Sequence, residues 1–276
     1  MQGEPFQQEN LSFMEFAAQE AITAGISTRH GGTSLEPYES LNLGLHVGDD
    51  PVRVIKNRES MAERIRFPLE QWVCADQVHG STIRKVTLSD AGKGSRNLDV
   101  AIPETDGLYT GEPGLFLALG YADCVPLYFF APRFGFVGIA HAGWRGTTAN
   151  IAGKMVDSWV NDEAIPREAI YAVIGPSIGP CCYEVDQRVI DAVNRVLGSE
   201  AGSVFQQTDE SHYRLDLKAC NRKLLLEAGI SEDHIECSTY CTGCRTDLFY
   251  SHRNEKGRTG RMLGFIGMKS AIQSIK

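Results

Sequence analysis

Three short apolar runs follow one another with hardly a break between residues 114 and 143: "GLFLALGYADC", "VPLYFFAP" and "FGFVGIAHAG". They are separated by Gly and Pro and rich in aromatic and branched residues, so they predict successive, buried-looking sheet strands. Such a sheet needs helices to cover it, and the flanking sequence supplies them. "PVRVIKNRESMAERI", residues 51–65, has helical periodicity with Pro51 suited to its first turn. "TTANIAGKMVDSWV" predicts a helix capped by Thr147 or Thr148, with Ile151, Met155 and Trp159 along one face. Further helices are predicted near 186–198 and 215–228. "EQWVCADQV" predicts a strand ending at His79, "YAVIGPSIG" a strand and turn, and 262–267 a last strand, while 88–105 forms a long loop. Strands and helices mix without a regular βαβ rhythm, which predicts an α+β or mixed α/β fold. No repeat or linker divides the 276 residues. One domain over 1–276 is expected, with about residues 1–20 as a loosely packed N-terminal segment.

Composition narrows the function. A formal charge of −8 argues against nucleic acid or an anionic membrane as the main partner. The N-terminus lacks the basic and apolar regions of a signal peptide, and no apolar run approaches the ~18 residues of a membrane span. A cytoplasmic protein is expected, in which the eight cysteines are thiols rather than a disulfide framework. The sequence carries no expectation about oligomeric state.

His79, Cys124 and His141 each end a predicted strand. If those strands are neighbours, two imidazoles and a thiolate meet at one rim. That is a three-ligand Zn²⁺ set with a fourth position open for water. A buried thiol beside two hydrogen-bonded histidines is the plain alternative. "HAGWRG" favours chemistry: a Gly-rich turn into a helix lets backbone N–H groups approach an anion, and Arg145 there offers a forked pair of donors. "SLNLGLHVGDD" and the helix after it add Asn42, His46 and Arg58, and an arginine so placed clamps an oxyanion or merely faces solvent.

The remaining cysteines tempt other readings. Cys237, Cys241 and Cys244 have the spacing of a radical iron–sulfur loop, but too little chain follows to build the barrel such a loop opens. His234-x-Glu236 with Cys241-x-x-Cys244 echoes the zinc deaminase signature, but the halves are too close to lie on separate helices. A structural zinc site with His234 is a third option. The plain reading is preferred: these thiols, and the adjacent Cys181 and Cys182, are unligated and packed.

Taken together, "DQVHG" (76–80), "YADCVP" (121–126), "HAGWRGT" (141–147), "IGPCCYEV" (178–185) and "FYSHR…TGRM" (249–262) resemble the bacterial laccase-domain family. That family is also labelled multicopper polyphenol oxidoreductase, polyphenol oxidase or YfiH/YlmD-like. The resemblance runs from about Gly25 to Met268. It implies a single-domain, layered α/β/β/α sandwich with one zinc site made by His79, Cys124 and His141. It also implies purine nucleoside phosphorolysis of adenosine, inosine, guanosine and methylthioadenosine, with adenosine deamination as a side activity. A blue multicopper oxidase needs many histidines, typically in His-x-His pairs; this chain has seven histidines and no such pair. Copper chemistry would therefore come from Cu²⁺ replacing Zn²⁺ at the three-ligand site.

The expected enzyme is thus a zinc-dependent purine nucleoside phosphorylase acting on small nucleosides and phosphate. Arg58 and Arg145 are the candidates for holding phosphate, with Asn42 beside them. Asp76, Asp106 and Asp123 are the nearby acids that could stabilise positive charge on the sugar, although Asp106 could simply anchor a turn. The rivals are a cysteine-dependent hydrolase with Cys124 as nucleophile and His141 as base, a copper-loaded polyphenol oxidoreductase, and a metal-binding protein without turnover.

Overall fold

The computed structural model describes residues 3–18 and 21–270. Two six-stranded sheets dominate it. The first runs in the order Gln7–Asn10, Phe13–Glu15, Ile22–Ser27, Met262–Met268, Phe116–Tyr121 and Trp72–Cys74. The second runs Ile235–Cys237, Tyr171–Ile174, Val125–Ala131, Phe136–Ala142, Gly107–Thr110 and Ile83–Lys85. Both are mixed: Trp72–Cys74 pairs parallel with Phe116–Tyr121, whereas Val125–Ala131 and Phe136–Ala142 pair antiparallel. A three-stranded sheet is built from Glu184–Asp186, His212–Leu215 and Phe205–Gln207.

The period-2 alternation of strands sorts the apolar side chains into layers. Leu117, Leu119 and Tyr121 meet Tyr128, Val137 and Ile139 in the core between the two sheets. From the same strands, Phe116 and Ala118 point the other way, toward Met61 and Ile65 of helix α1 (Pro51–Ile65). Leu127 and Phe129 face outward on the second sheet. They meet α3 (Ile151–Asp162), α4 (Gln187–Leu197) and α5 (Leu217–Glu227), which follow the short α2 (Trp144–Thr148). The order helix, sheet, sheet, helices is the α/β/β/α sandwich. Ile151, Met155 and Trp159 are all fully buried, as their spacing predicts.

Three expectations need correction. The cap of the helix after "HAGWRG" is Asn150, in the left-handed region at φ 56°, accepting from Gly153 N at 3.0 Å. Thr147 lies inside α2, because the Gly143 turn starts a helix of its own that breaks before α3. The N-terminal segment, in its described part, is not loosely packed. Phe6 and Phe16 are buried against Tyr128, and Gln7–Asn10 pairs at the sheet edge. The strand before His79 ends at Cys74, because Asp76 N turns to Ile102 O and draws the chain away. Among the described residues, no helix is long and apolar enough to cross a membrane.

Candidate metal centre and its cleft

His141 sits one residue from the end of Phe136–Ala142, on the same face as Val137 and Ile139. Alternation thus carries an imidazole to the rim of the inter-sheet core. Cys124 lies in the turn between Phe116–Tyr121 and Val125–Ala131. That turn needs Asp123 at φ 83°, a conformation rare outside glycine. Thr242 Oγ1 at 2.6 Å, Ser251 Oγ at 3.1 Å and Arg253 N at 2.7 Å hold it by donating to the Asp123 carboxylate.

His79 stands in a second left-handed turn, at φ 58°. Its organiser is Asp106, fully buried, whose carboxylate accepts from Gly80 N at 2.6 Å, His79 N at 3.1 Å and Val78 N at 3.3 Å. The same carboxylate meets His141 Nδ1 at 2.8 Å, which leaves Nε2 of that ring as the ligand atom. One buried acid therefore fixes the His141 ring and the backbone turn that carries His79.

The ligand atoms of His79, Cys124 and His141 all lie within 4.8 Å of one another, so the group could hold a metal ion. Burial alone would raise the Cys124 thiol, but the charge and hydrogen bond of His141, with help from His79, bring it down to about 6. Burial opposes charge on His141 too, yet Cys124 and Asp106 together push it up to about 9. The side chains by themselves thus form a thiolate–imidazolium pair, a donor set that a divalent cation can take over by displacing the proton. Backbone clearance is tight: a Cβ at Gly143 would lie 3.0 Å from Cys124 Sγ and 3.5 Å from His79 Cδ2. Gly143 has φ −66°, open to any residue, so the restriction is space rather than backbone. Gly143→Ala is expected to cut metal-dependent activity about 10-fold through misplaced ligands while leaving Tm almost unchanged. Paired kinetics and thermal melts check this.

The three residues open into a cleft of about 340 Å³, within the range of small-molecule sites. Trp144, Ile178, Tyr183 and Leu217 make its apolar wall, and Arg145, Arg253 and Arg261 line it with positive charge. Arg145 stacks on Trp144, 4.6 Å from the ring centre, and Arg253 on Tyr183 at 5.1 Å. His46 also lines the cleft; burial together with Arg261, Arg58 and His79 lowers its pKa to about 4, so it is neutral at ordinary pH.

Of the other predicted site residues, Arg145 is in the cleft and two are not. Arg58 is buried, donating to the carbonyls of Leu43 at 2.8 Å, Gly94 at 2.7 Å and Ser95 at 2.8 Å. It pins the long 88–105 loop and is spent there. Asn42 is buried as well, but its Oδ1 accepts from Arg261 N at 2.9 Å, so it positions the arginine that does face the cleft. Asp76 is exposed and outside the cleft lining, Asp106 is a turn anchor, and Asp123 lines the cleft with its carboxylate already accepting three hydrogen bonds. The motif "FYSHR…TGRM" contains both Arg253 and Arg261, and it is the signal in the sequence for these two cleft arginines.

Residues 23–269 match the family described as multi-copper polyphenol oxidoreductase laccase. The chain belongs to this family. Among its relatives, the purine nucleoside phosphorylase YlmD of Geobacillus stearothermophilus is 52% identical over 266 residues, covering 96% of this chain and 97% of the relative. The Bacillus subtilis protein of the same name is 49% identical over 250 residues, covering 91% and 90%. The crystal structure of YlmD from Geobacillus stearothermophilus superposes with a TM-score of 0.95 at 51% identity, covering 97% of this chain and all of that one (100%). For a family with a copper name, the donor set is notable. Among the described residues, the one group of three or more possible metal ligands that contains histidine is His79, Cys124 and His141, enough for one metal ion.

Proposed function

We propose that this protein is a zinc-dependent purine nucleoside phosphorylase. The observation that carries the proposal is one cleft holding both a His79–Cys124–His141 metal set and the arginines Arg145, Arg253 and Arg261. Relatives named for the same activity support it. The substrates are adenosine, inosine, guanosine and methylthioadenosine. A phosphate oxygen attacks C1′ of the ribose while the C1′–N9 bond breaks, its electron pair leaving with the purine, which takes up a proton. The products are free base and ribose 1-phosphate, or its methylthio analogue.

His79, Cys124 and His141 would hold the zinc, which would supply polarisation of a phosphate oxygen or of a water molecule, the latter being the chemistry an adenosine deaminase side activity would use. The chain's own groups do the rest. The Arg261 guanidinium is fixed by its Nη1 bonds to the carbonyls of Thr259 and Gly260 at 3.0 and 2.9 Å, and it holds phosphate charge together with Arg145. Neutral His46 can hydrogen-bond beside them without adding charge. The wall of Trp144, Tyr183 and Leu217 takes the purine face, where aromatic stacking contributes about 1–3 kcal/mol per base. The phosphate so held is itself the anion that stabilises the positive charge growing on the sugar.

The test follows free base released from adenosine or inosine by metal-quantified protein, with and without phosphate. Release that requires phosphate, with Arg261→Ala raising the KM for phosphate about 10-fold or more, is the expected result. No release from zinc-loaded protein would overturn the proposal. A second reading, a cysteine-dependent hydrolase, is favoured by the Cys124 thiolate beside His141. Copper on the same three ligands gives a third, polyphenol oxidation, since copper binds such donors more tightly than zinc does.

A further inference from the structure

Four cysteines from two distant segments converge at the turn that also carries Ile178 and Tyr183 of the cleft lining. Cys181 and Cys182 follow the strand Tyr171–Ile174, and Cys241 and Cys244 follow Ile235–Cys237, the parallel neighbour of that strand. A bridge between Ser177 and Cys241 continues the pairing and brings the two turns together. The four Sγ atoms lie within 4.8 Å of one another, with Cys244 at 3.4 Å from Cys181 and 3.5 Å from Cys182. His234, the sequence's alternative partner, is elsewhere, stacked on Tyr171. Cys181 and Cys244 are exposed, which the expectation of packed thiols did not foresee.

These distances have a chemical signature. A disulfide needs sulfurs about 2.05 Å apart. A tetrahedral zinc site with Zn–S near 2.3 Å places its sulfurs about 3.8 Å apart. The surroundings are shaped for the second case. Cys241-x-x-Cys244 is a metal-ligand spacing whose turn is closed by Cys244 N and Arg245 N donating to Cys241 O at 3.1 and 3.0 Å. Gly179 N donates to Cys241 Sγ at 3.1 Å, a backbone donor aimed at a sulfur that carries charge once ligated. At Gly243 a Cβ would stand 2.8 Å from Cys182 Cβ and 3.0 Å from its Sγ, so only glycine lets the two turns close on each other.

We infer that Cys181, Cys182, Cys241 and Cys244 form a second, tetrathiolate zinc site that clamps the two turns. Four thiolates saturate the metal, so the site is structural, with no position for substrate. What it holds is one side of the cleft. Ile178 and Tyr183 of one turn line it, and Thr242 of the other donates to Asp123, the neighbour of Cys124. The inference does not depend on what the cleft binds.

The test uses full-length Cys124→Ala protein, purified reduced and without chelator, so that the first metal set lacks its sulfur. About one zinc per chain should remain, and it should be lost in the added Cys241→Ser/Cys244→Ser pair. Replacing zinc by cobalt(II) in folded Cys124→Ala protein should produce intense thiolate-to-cobalt absorption, a readout that holds even if the serine variants do not fold. Cys124→Ala protein that binds neither metal while its four thiols react freely would overturn the site. So would an intact mass showing those thiols oxidised to disulfides in protein kept reduced. Equal zinc in wild type and Cys124→Ala would leave this site standing and count against a metal at His79, Cys124 and His141.

Discussion

Cys124→Ala is expected to lose phosphorolysis by more than about 100-fold and to lose the metal bound at His79 and His141 with it. Replacing only the outer partners of a metal ligand typically costs 10–100-fold, so removing a ligand should cost more. The fold should tolerate the change, because Cys124 lies in a turn whose shape is set by Asp123 and its three donors rather than by the thiol. Loss of activity alone does not separate a metal ligand from a nucleophile, since Cys124 would be essential in both roles. His79→Ala separates them. As a ligand His79 is required, and its removal should lower metal content and activity together. In a Cys124–His141 dyad it would only help lower the Cys124 thiol, so hydrolysis of an amide substrate would weaken without it but persist without metal. Metal analysis and kinetics on the two variants, side by side, check the prediction.

What could be read in advance follows from which signals are local. The central strands are legible because burial on both faces makes them continuous apolar runs cut by Gly and Pro, and Ile151, Met155 and Trp159 because one-sided burial imposes a 3.6 period on a helix. The convergence of His79, Cys124 and His141 was expected, but from strand ends. In the structure, His79 and Cys124 instead sit in turns beside or within left-handed backbone, held by Asp106 and Asp123. No periodicity announces such a turn; it depends on a carboxylate that folds back from elsewhere in the chain. Arg58 and Arg261 show the same limit. Both are arginines near Asn42, and only tertiary contacts decide that Arg58 serves the Gly94 and Ser95 carbonyls while Arg261 faces the cleft. The four clustered cysteines stand as two separate motifs in the sequence because the parallel pairing of their strands is a long-range fact.

Asp106→Asn should be the most damaging change outside the ligands themselves. The carboxylate accepts three backbone N–H groups and meets His141, and it does so fully buried. An amide of the same shape has one oxygen to offer, so one pair of these donors must face an NH₂ group with no water to compensate. Removing one member of a buried charged pair costs about 3–5 kcal/mol. At 2–4 °C per kcal/mol, Tm should fall on the order of 10 °C. Metal affinity should drop about 10–100-fold as the His79 turn and the His141 ring lose their common support. Asp76→Asn is the matched control: exposed and outside the cleft lining, it should change stability by no more than about 0.5 kcal/mol. The pH dependence has a definite sign. Although burial opposes it, hydrogen bonding to His141 and the turn depresses the Asp106 pKa below its ordinary 3.8. Its stabilisation is therefore complete above that value and is lost as pH falls through the depressed one. Thermal melts of both variants from neutral pH downward should show wild type and Asp76→Asn losing stability in acid while Asp106→Asn, already without the carboxylate, loses less. Parallel acid profiles for all three would remove Asp106 from its central place and leave the His79 turn without a cause.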